Sequence, residues 1–206
     1  MILTALLAAS AFASTIEDFS PMIPGTKWTY EDGNGLQLVE QLREPIDIGK
    51  GVMAYPKSSS ASRNASAAEL YRIQDNTLEM VGYLDKSKKE SPINLFSPPQ
   101  PVLRVASGKA EWQYSTELPT TQGPVLQLVH ADSNHGPKRK ILDREVETLI
   151  VHVFSQIGND KEGVQIRQDA VYGKGIGLVE MTEATKAGGR TVKRVLKLVK
   201  FEPPQG

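Results

Sequence analysis

Apolar and polar residues alternate with a period of two through most of the chain, and the first clear case begins at Thr26. Trp28 and Tyr30 fall on one face and Lys27, Thr29 and Glu31 on the other, the pattern of a half-buried strand. Asp32-Gly33-Asn34-Gly35 follows, and because Gly and Asn enter positive φ at low cost the segment predicts a turn. Leu36, Leu38 and Leu42 then alternate with Gln37 and Gln41, which completes a hairpin.

The same alternation predicts strands at 52–55, 69–74, 77–83, 102–105, 110–115, 125–130, 139–142, 146–156, 163–171, 176–183 and 190–201. Turn-forming clusters at 74–76, 158–160 and 187–189 separate several of them. Helical periodicity is short-lived, with at most a brief helix expected at 62–68 or 92–96. Many strands at close spacing predict an all-β chain, an antiparallel barrel or a two-sheet β-sandwich, and spacing alone leaves both open.

Two stretches interrupt this grammar. Residues 57–68 are rich in Ser and Ala and are expected to form a loop, and their Asn64-Ala65-Ser66 is a glycosylation sequon by letter only. Ser97-Pro98-Pro99-Gln100-Pro101 lacks the donors of a central strand and is expected to cross between two halves of the structure. A short echo also occurs. Gly25-Thr26-Lys27-Trp28-Thr29-Tyr30 is similar to Gly108-Lys109-Ala110-Glu111-Trp112-Gln113-Tyr114, which predicts two strand starts, each inserting a large aromatic into the core.

The first residues differ in kind. Ile2 to Ala9 is an apolar run followed by Ala11-Phe12-Ala13, a small-x-small cleavage pattern, and the run is shorter than the ~20 residues a spanning helix needs. A signal peptide over 1–13 is expected, then a polar leader through Pro24, with 14–206 as one β-rich domain. A periplasmic or secreted location follows. The chain has no cysteine, so neither a lipobox anchor nor a disulfide is expected, and no transmembrane anchor either.

Composition fits a folded domain, with 39% hydrophobic and 23% charged residues. Lys plus Arg equals Asp plus Glu at 24 each, which removes any general attraction to nucleic acid. The basic segment Arg190, Lys193, Arg194, Lys197 and Lys200 is interleaved with Val and Leu and reads as a solvated strand face.

Candidate chemistry is sparse. His130, Asp132 and His135 bring metal-ligand types together, although Asp132 to Pro137 equally has the composition of a polar turn. His152 sits within an apolar strand and reads as a hydrogen-bonded core or rim residue. Asp143, Glu145 and Glu147 have Lys138, Arg139, Lys140 and Arg144 alongside, which suggests mutual solvation at a sheet edge. Gly173-Lys174-Gly175-Ile176-Gly177-Leu178 lacks the third glycine of a dinucleotide loop and the Lys-Ser/Thr of a phosphate loop, so it reads as a bend before a strand. No nucleophile motif occurs, and no cofactor is expected.

Phe19-Ser20-Pro21-Met22-Ile23-Pro24-Gly25-Thr26-Lys27-Trp28-Thr29-Tyr30, the proline-rich lead from Pro98 to Trp112, and Tyr172-Gly173-Lys174-Gly175-Ile176-Gly177-Leu178-Val179 carry a resemblance. On these segments the chain resembles bacterial exported or lipoprotein β-proteins that include TapB-like proteins, and Ile141 to Val153 resembles their strand leading to the penultimate hairpins. The resemblance implies an open or incomplete antiparallel barrel similar to Lol-type lipoprotein carriers, with no assigned active site.

The reading is a non-enzymatic exported envelope protein. Its curved sheet is expected to bind a hydrophobic small molecule or lipid, or an envelope protein, through Trp28, Tyr30, Trp112 and Tyr114, under cover of the 57–68 loop. The alternatives are a structural or assembly module presenting sheet edges, and a metal-dependent hydrolase centred on His130, Asp132 and His135.

Overall fold

The computed structural model describes residues 14–60, 67–88, 92–120, 123–158 and 163–204. A one-turn helix, α1 (Ile16–Phe19), precedes β1 (Lys27–Asp32), β2 (Gln37–Leu42), β3 (Ile46–Asp47), β4 (Met53–Ser59), β5 (Ala67–Gln74) and β6 (Thr77–Asp85). Then follow β7 (Ile93–Arg104), β8 (Ala110–Thr120), β9 (Gly123–Ile141), β10 (Arg144–Ile157), β11 (Val164–Gly173), β12 (Gly177–Ala187) and β13 (Arg190–Glu202). The expected signal peptide lies outside the described residues.

These strands join one antiparallel sheet in the order β7-β6-β5-β4-β2-β1-β13-β12-β11-β10-β9-β8, with β3 attached to β4. The two ends of the order, β7 and β8, are consecutive in the chain. One core cluster shows how the sheet curls: Tyr71, Leu78 and Leu103 from β5–β7 pack with Trp112, Leu149 and Val151 from β8–β10. The sheet is therefore a nearly closed barrel with one unsealed seam between β7 and β8, rather than a sandwich.

The seam has its cause in the prolines. Ser97 to Pro101 forms part of β7, not a crossover, and an edge is where a sheet tolerates residues without N–H groups. Its ladder with β6 pairs Met80 with Gln100 and then Gly82 with Leu95, so Phe96 to Pro99 bulge out of register. A strand so interrupted cannot offer β8 a continuous row of donors, and the barrel stops there. β7 nonetheless lies hard against β6 at one point, where a Cβ on Gly82 would collide with the Asn94 carbonyl oxygen.

One end of the barrel is plugged by the leader, which the sequence presents as merely polar. Thr15 N–H donates to Asp18 Oδ2 at 2.9 Å to start α1, and Ile16 and Phe19, three residues apart, share its inner side with 0% exposure each. Ile16 N–H donates to Asn76 Oδ1 at 2.8 Å, and Gly175 N–H donates to the Asp18 carbonyl at 2.7 Å. The plug is thus tied to the β5–β6 and β11–β12 turns.

Other expectations change locally. Residues 57–59 and 67–68 belong to β4 and β5 rather than a loop, and 61–66, with the sequon, lie outside the described residues. Residues 93–96 are strand, not helix. The expected turn at Asp132 to Pro137 is instead continuous extended chain within the 19-residue β9. Leu36 is 70% exposed at the hairpin tip, whereas Leu38 and Leu42 are buried as the alternation requires. A small outer core of Ala54, Ala68, Leu70, Val81 and Leu84, packed by Ile46 and Ile48 of the β3 segment, lies on the other face of β4–β6.

Candidate functional site

Alternation along β1, β2, β4 and β5 turns Trp28, Tyr30, Glu40, Leu42, Lys57 and Tyr71 to the barrel interior, where they line a cavity of about 80 Å³. Trp28 Nε1 donates to the Ile176 carbonyl at 2.6 Å and Tyr30 Oη to the Leu178 carbonyl at 3.2 Å, so both aromatics are latched across to β12 and the turn before it. Gly177 lies beside Trp28 Nε1 at φ +98°, a backbone conformation that favours glycine.

The cavity wall carries a charge pair. Lys57 Nζ lies 3.0 Å from Glu40 Oε2 and 4.9 Å from the centre of the Tyr71 ring, and Tyr71 Oη donates to Glu69 Oε2 at 2.6 Å. Burial disfavours the Lys57 ammonium, but Glu40, Tyr71, Glu69 and Tyr30 together outweigh it and hold the lysine well above its ordinary range. Burial also raises the phenols of Tyr30, Tyr71 and Tyr172. A space of this size holds two or three waters at ~30 Å³ each and falls short of the ~300 Å³ at which small-molecule pockets begin. Its charged wall is suited to water rather than to an acyl chain.

Trp112 and Tyr114 do not join Trp28 and Tyr30. They stand on β8, at the seam. Trp112 Nε1 donates across it to the Pro101 carbonyl at 3.2 Å, Ser133 Oγ donates to the Arg104 carbonyl at 2.5 Å, and His135 Nε2 lies 3.1 Å from the Ala106 carbonyl. Side chains from β8 and β9 thereby staple the seam at the α1 end. Among the described residues no strand pairs with the outer edge of β8 from Gln113 to Leu118, and no hydrogen bond crosses from there to Ile93–Gln100. Tyr83 and Phe96, edge to face at 5.3 Å, form the opposite wall, with Tyr83 42% exposed. Burial raises the Tyr114 phenol, and Tyr83 adds to the shift.

The metal-ligand set is not assembled. His130 and Asp132 project from the outer face of β9, while His135, an odd number of residues away, turns inward, where its ring lies 5.8 Å from that of Phe19. No group of three metal-ligand side chains converges among the described residues. The outer face of β8–β11 does form an open groove of about 840 Å³, in which Glu111, Asp132, His152 and Asp169 lie in one cross-strand row. His152 is an exposed partner of Asp169 at 2.6 Å rather than a core residue. Lys140 pairs with Asp143 at 3.1 Å as expected, whereas Glu147 takes Lys174 at 3.3 Å, a lysine outside the expected basic set.

Several residues of this site escape the sequence reading although each leaves a signal. Glu40 is in phase with Leu38 and Leu42, and Ser133 and His135 are in phase with Val129 and Ala131. A polar residue on the apolar phase of a strand points inward and must find a partner there.

No protein-family model matches the chain, and no curated protein sequence does. Among solved structures it is similar to a Bacteroides fragilis protein described as exported, with a YmcC-like fold, at 11% identity and TM-score 0.38 over 87% of this chain and 96% of that one. It is also similar to the hypothetical lipoprotein YmcC from Escherichia coli, at 9% identity and TM-score 0.41 over 89% of each chain. A third likeness is to a Parabacteroides distasonis protein described as a lipoprotein, at 9% identity and TM-score 0.34 over 88% of this chain and 98% of that one. At these identities and TM-scores the likenesses assign neither family nor activity.

Proposed function

We propose that this chain is a non-enzymatic exported protein of the bacterial envelope that binds a protein partner at the open half of its seam. The observation that carries the reading is the edge of β8 from Gln113 to Leu118, which lies at one end of the strand order and has no strand of the described residues beside it. A long unpaired edge is normally shortened, bulged or covered, because it templates pairing with other chains. Here β7 carries the prolines and the bulge, and β8 carries neither over these six residues. The small, charged interior weighs against a lipid or other hydrophobic small molecule as the occupant. Trp112 and Tyr114 are the aromatics at the contact, whereas Trp28 and Tyr30 hold the wall behind it.

The test is site-specific photo-crosslinking in the native host, with a photoreactive residue in place of Tyr114 and, separately, of Lys140 on the far β9–β10 hairpin. The reading expects a discrete protein adduct from position 114 and none from 140. Equal labelling at both positions, no adduct at 114, or a lipid that co-purifies stoichiometrically in native mass spectrometry would overturn it.

A further inference from the structure

We infer that the seam takes its partner by strand addition: an extended segment aligns along Gln113 to Leu118 of β8 and alternates apolar with basic residues. The inference rests on the reading of the seam as the partner site and specifies the chemistry of the occupant. An unpaired strand edge presents N–H and C=O groups in alternation, and a second extended backbone is the ligand that answers both at that spacing. The side chains on β8 then set which segment fits. Tyr114, Thr116 and Leu118 are the partly buried, inward set, and Glu111, Gln113, Ser115 and Glu117 are the exposed, outward set.

Both charges of the outward set are acidic. Lys109 already pairs with Glu111 at 2.6 Å, but Glu117 has no ion pair among the described residues. An occupant therefore places apolar residues inward, beside Tyr114, Leu118 and the Tyr83–Phe96 pair on the facing wall, and Lys or Arg outward beside Glu117. An acidic strand meets like charge directly across the ladder, which is unfavourable. The staples from Trp112, Ser133 and His135 stop the added strand at the α1 end, so the site is about six residues long.

The probe is a synthetic peptide, Ac-Lys-Val-Lys-Val-Thr-Val-Lys-Val-NH2, titrated into isotope-labelled protein, with a control in which every Lys is Glu. Strand addition predicts saturable shifts confined to the seam and nuclear Overhauser effects between peptide and β8 Hα protons, the mark of close non-hydrogen-bonded pairs. The Glu peptide is expected not to bind. Glu117→Lys, at an exposed position that leaves the fold intact, is expected to weaken the Lys peptide by up to about fivefold, the worth of one cross-strand charge pair. The inference is overturned if the Lys peptide gives no such contacts with β8, if both peptides bind equally, or if the seam edge proves to be occupied by a second copy of this chain. Adducts at position 114 without a peptide ladder would remove strand addition alone and leave the partner site standing.

Discussion

Ser133→Ala tests the staple that ends the seam. Ser133 is 1% exposed, and its hydroxyl donates to the Arg104 carbonyl at 2.5 Å, from β9 to the last residue of β7. The substitution removes one oxygen and leaves no large cavity, so the cost is the lost bond plus a shielded carbonyl left without its donor, about 1–3 kcal/mol. That is roughly a 5- to 150-fold change in the unfolding equilibrium and a fall in Tm of about 2–12 °C for a chain of this size. Urea and thermal denaturation give the global number, and residue-resolved hydrogen exchange gives its location. Ser155→Ala is the control: Ser155 is equally buried, on β10, and its hydroxyl accepts from Gln127 Nε2 at 2.9 Å, away from β7. Both variants lose stability, but only Ser133→Ala is expected to speed exchange at 102–105 ahead of global unfolding. Equal exchange in the two variants, or an unaltered Tm for Ser133→Ala, would refute the reasoning that side chains hold this end of the seam.

Three further outcomes follow from the fold. Gly82→Ala forces a Cβ into the Asn94 carbonyl and should cost at least about 1–3 kcal/mol, with β7 the first element to lose exchange protection. Phe19→Ala empties the barrel plug and should cost about 3–5 kcal/mol in denaturant unfolding. The pKa values of Tyr30, Tyr71, Tyr172 and Lys57 are all raised in the fold, so in each case the folded state keeps a proton that the unfolded state gives up at high pH. Their contribution is fully present through neutral pH and is lost as pH rises above about 10, visible as a falling urea midpoint between pH 9 and 11. A midpoint that holds constant to pH 11 would contradict the buried assignment of these groups.

What the sequence reveals here follows from period and proline. The Trp28 hairpin is legible because alternation and a Gly-Asn turn agree, whereas Ser97 to Pro101 is legible as a break in the pattern but not as part of an edge strand, because missing donors suit a crossover equally well. The breaks in β9 were misplaced because Asp132 to Pro137 has turn composition, yet tertiary pairing with Thr148 to His152 keeps it extended. The α1 plug was missed because a single turn has no period to detect and its two apolar residues gain their burial from the barrel around them. The four aromatics were correctly assigned to strands that enter the core, but their separation into cavity and seam depends on strand order, which alternation does not encode.

The openness of β8 is most directly measured by amide hydrogen exchange in the free protein. An open seam leaves alternate N–H groups of Gln113 to Leu118 bonded to β9 and the rest facing solvent, so protection should rise and fall with a period of two along these residues. Uniform protection from 113 to 118, at the level of the doubly paired β1 and β11, would show a closed barrel and contradict the account.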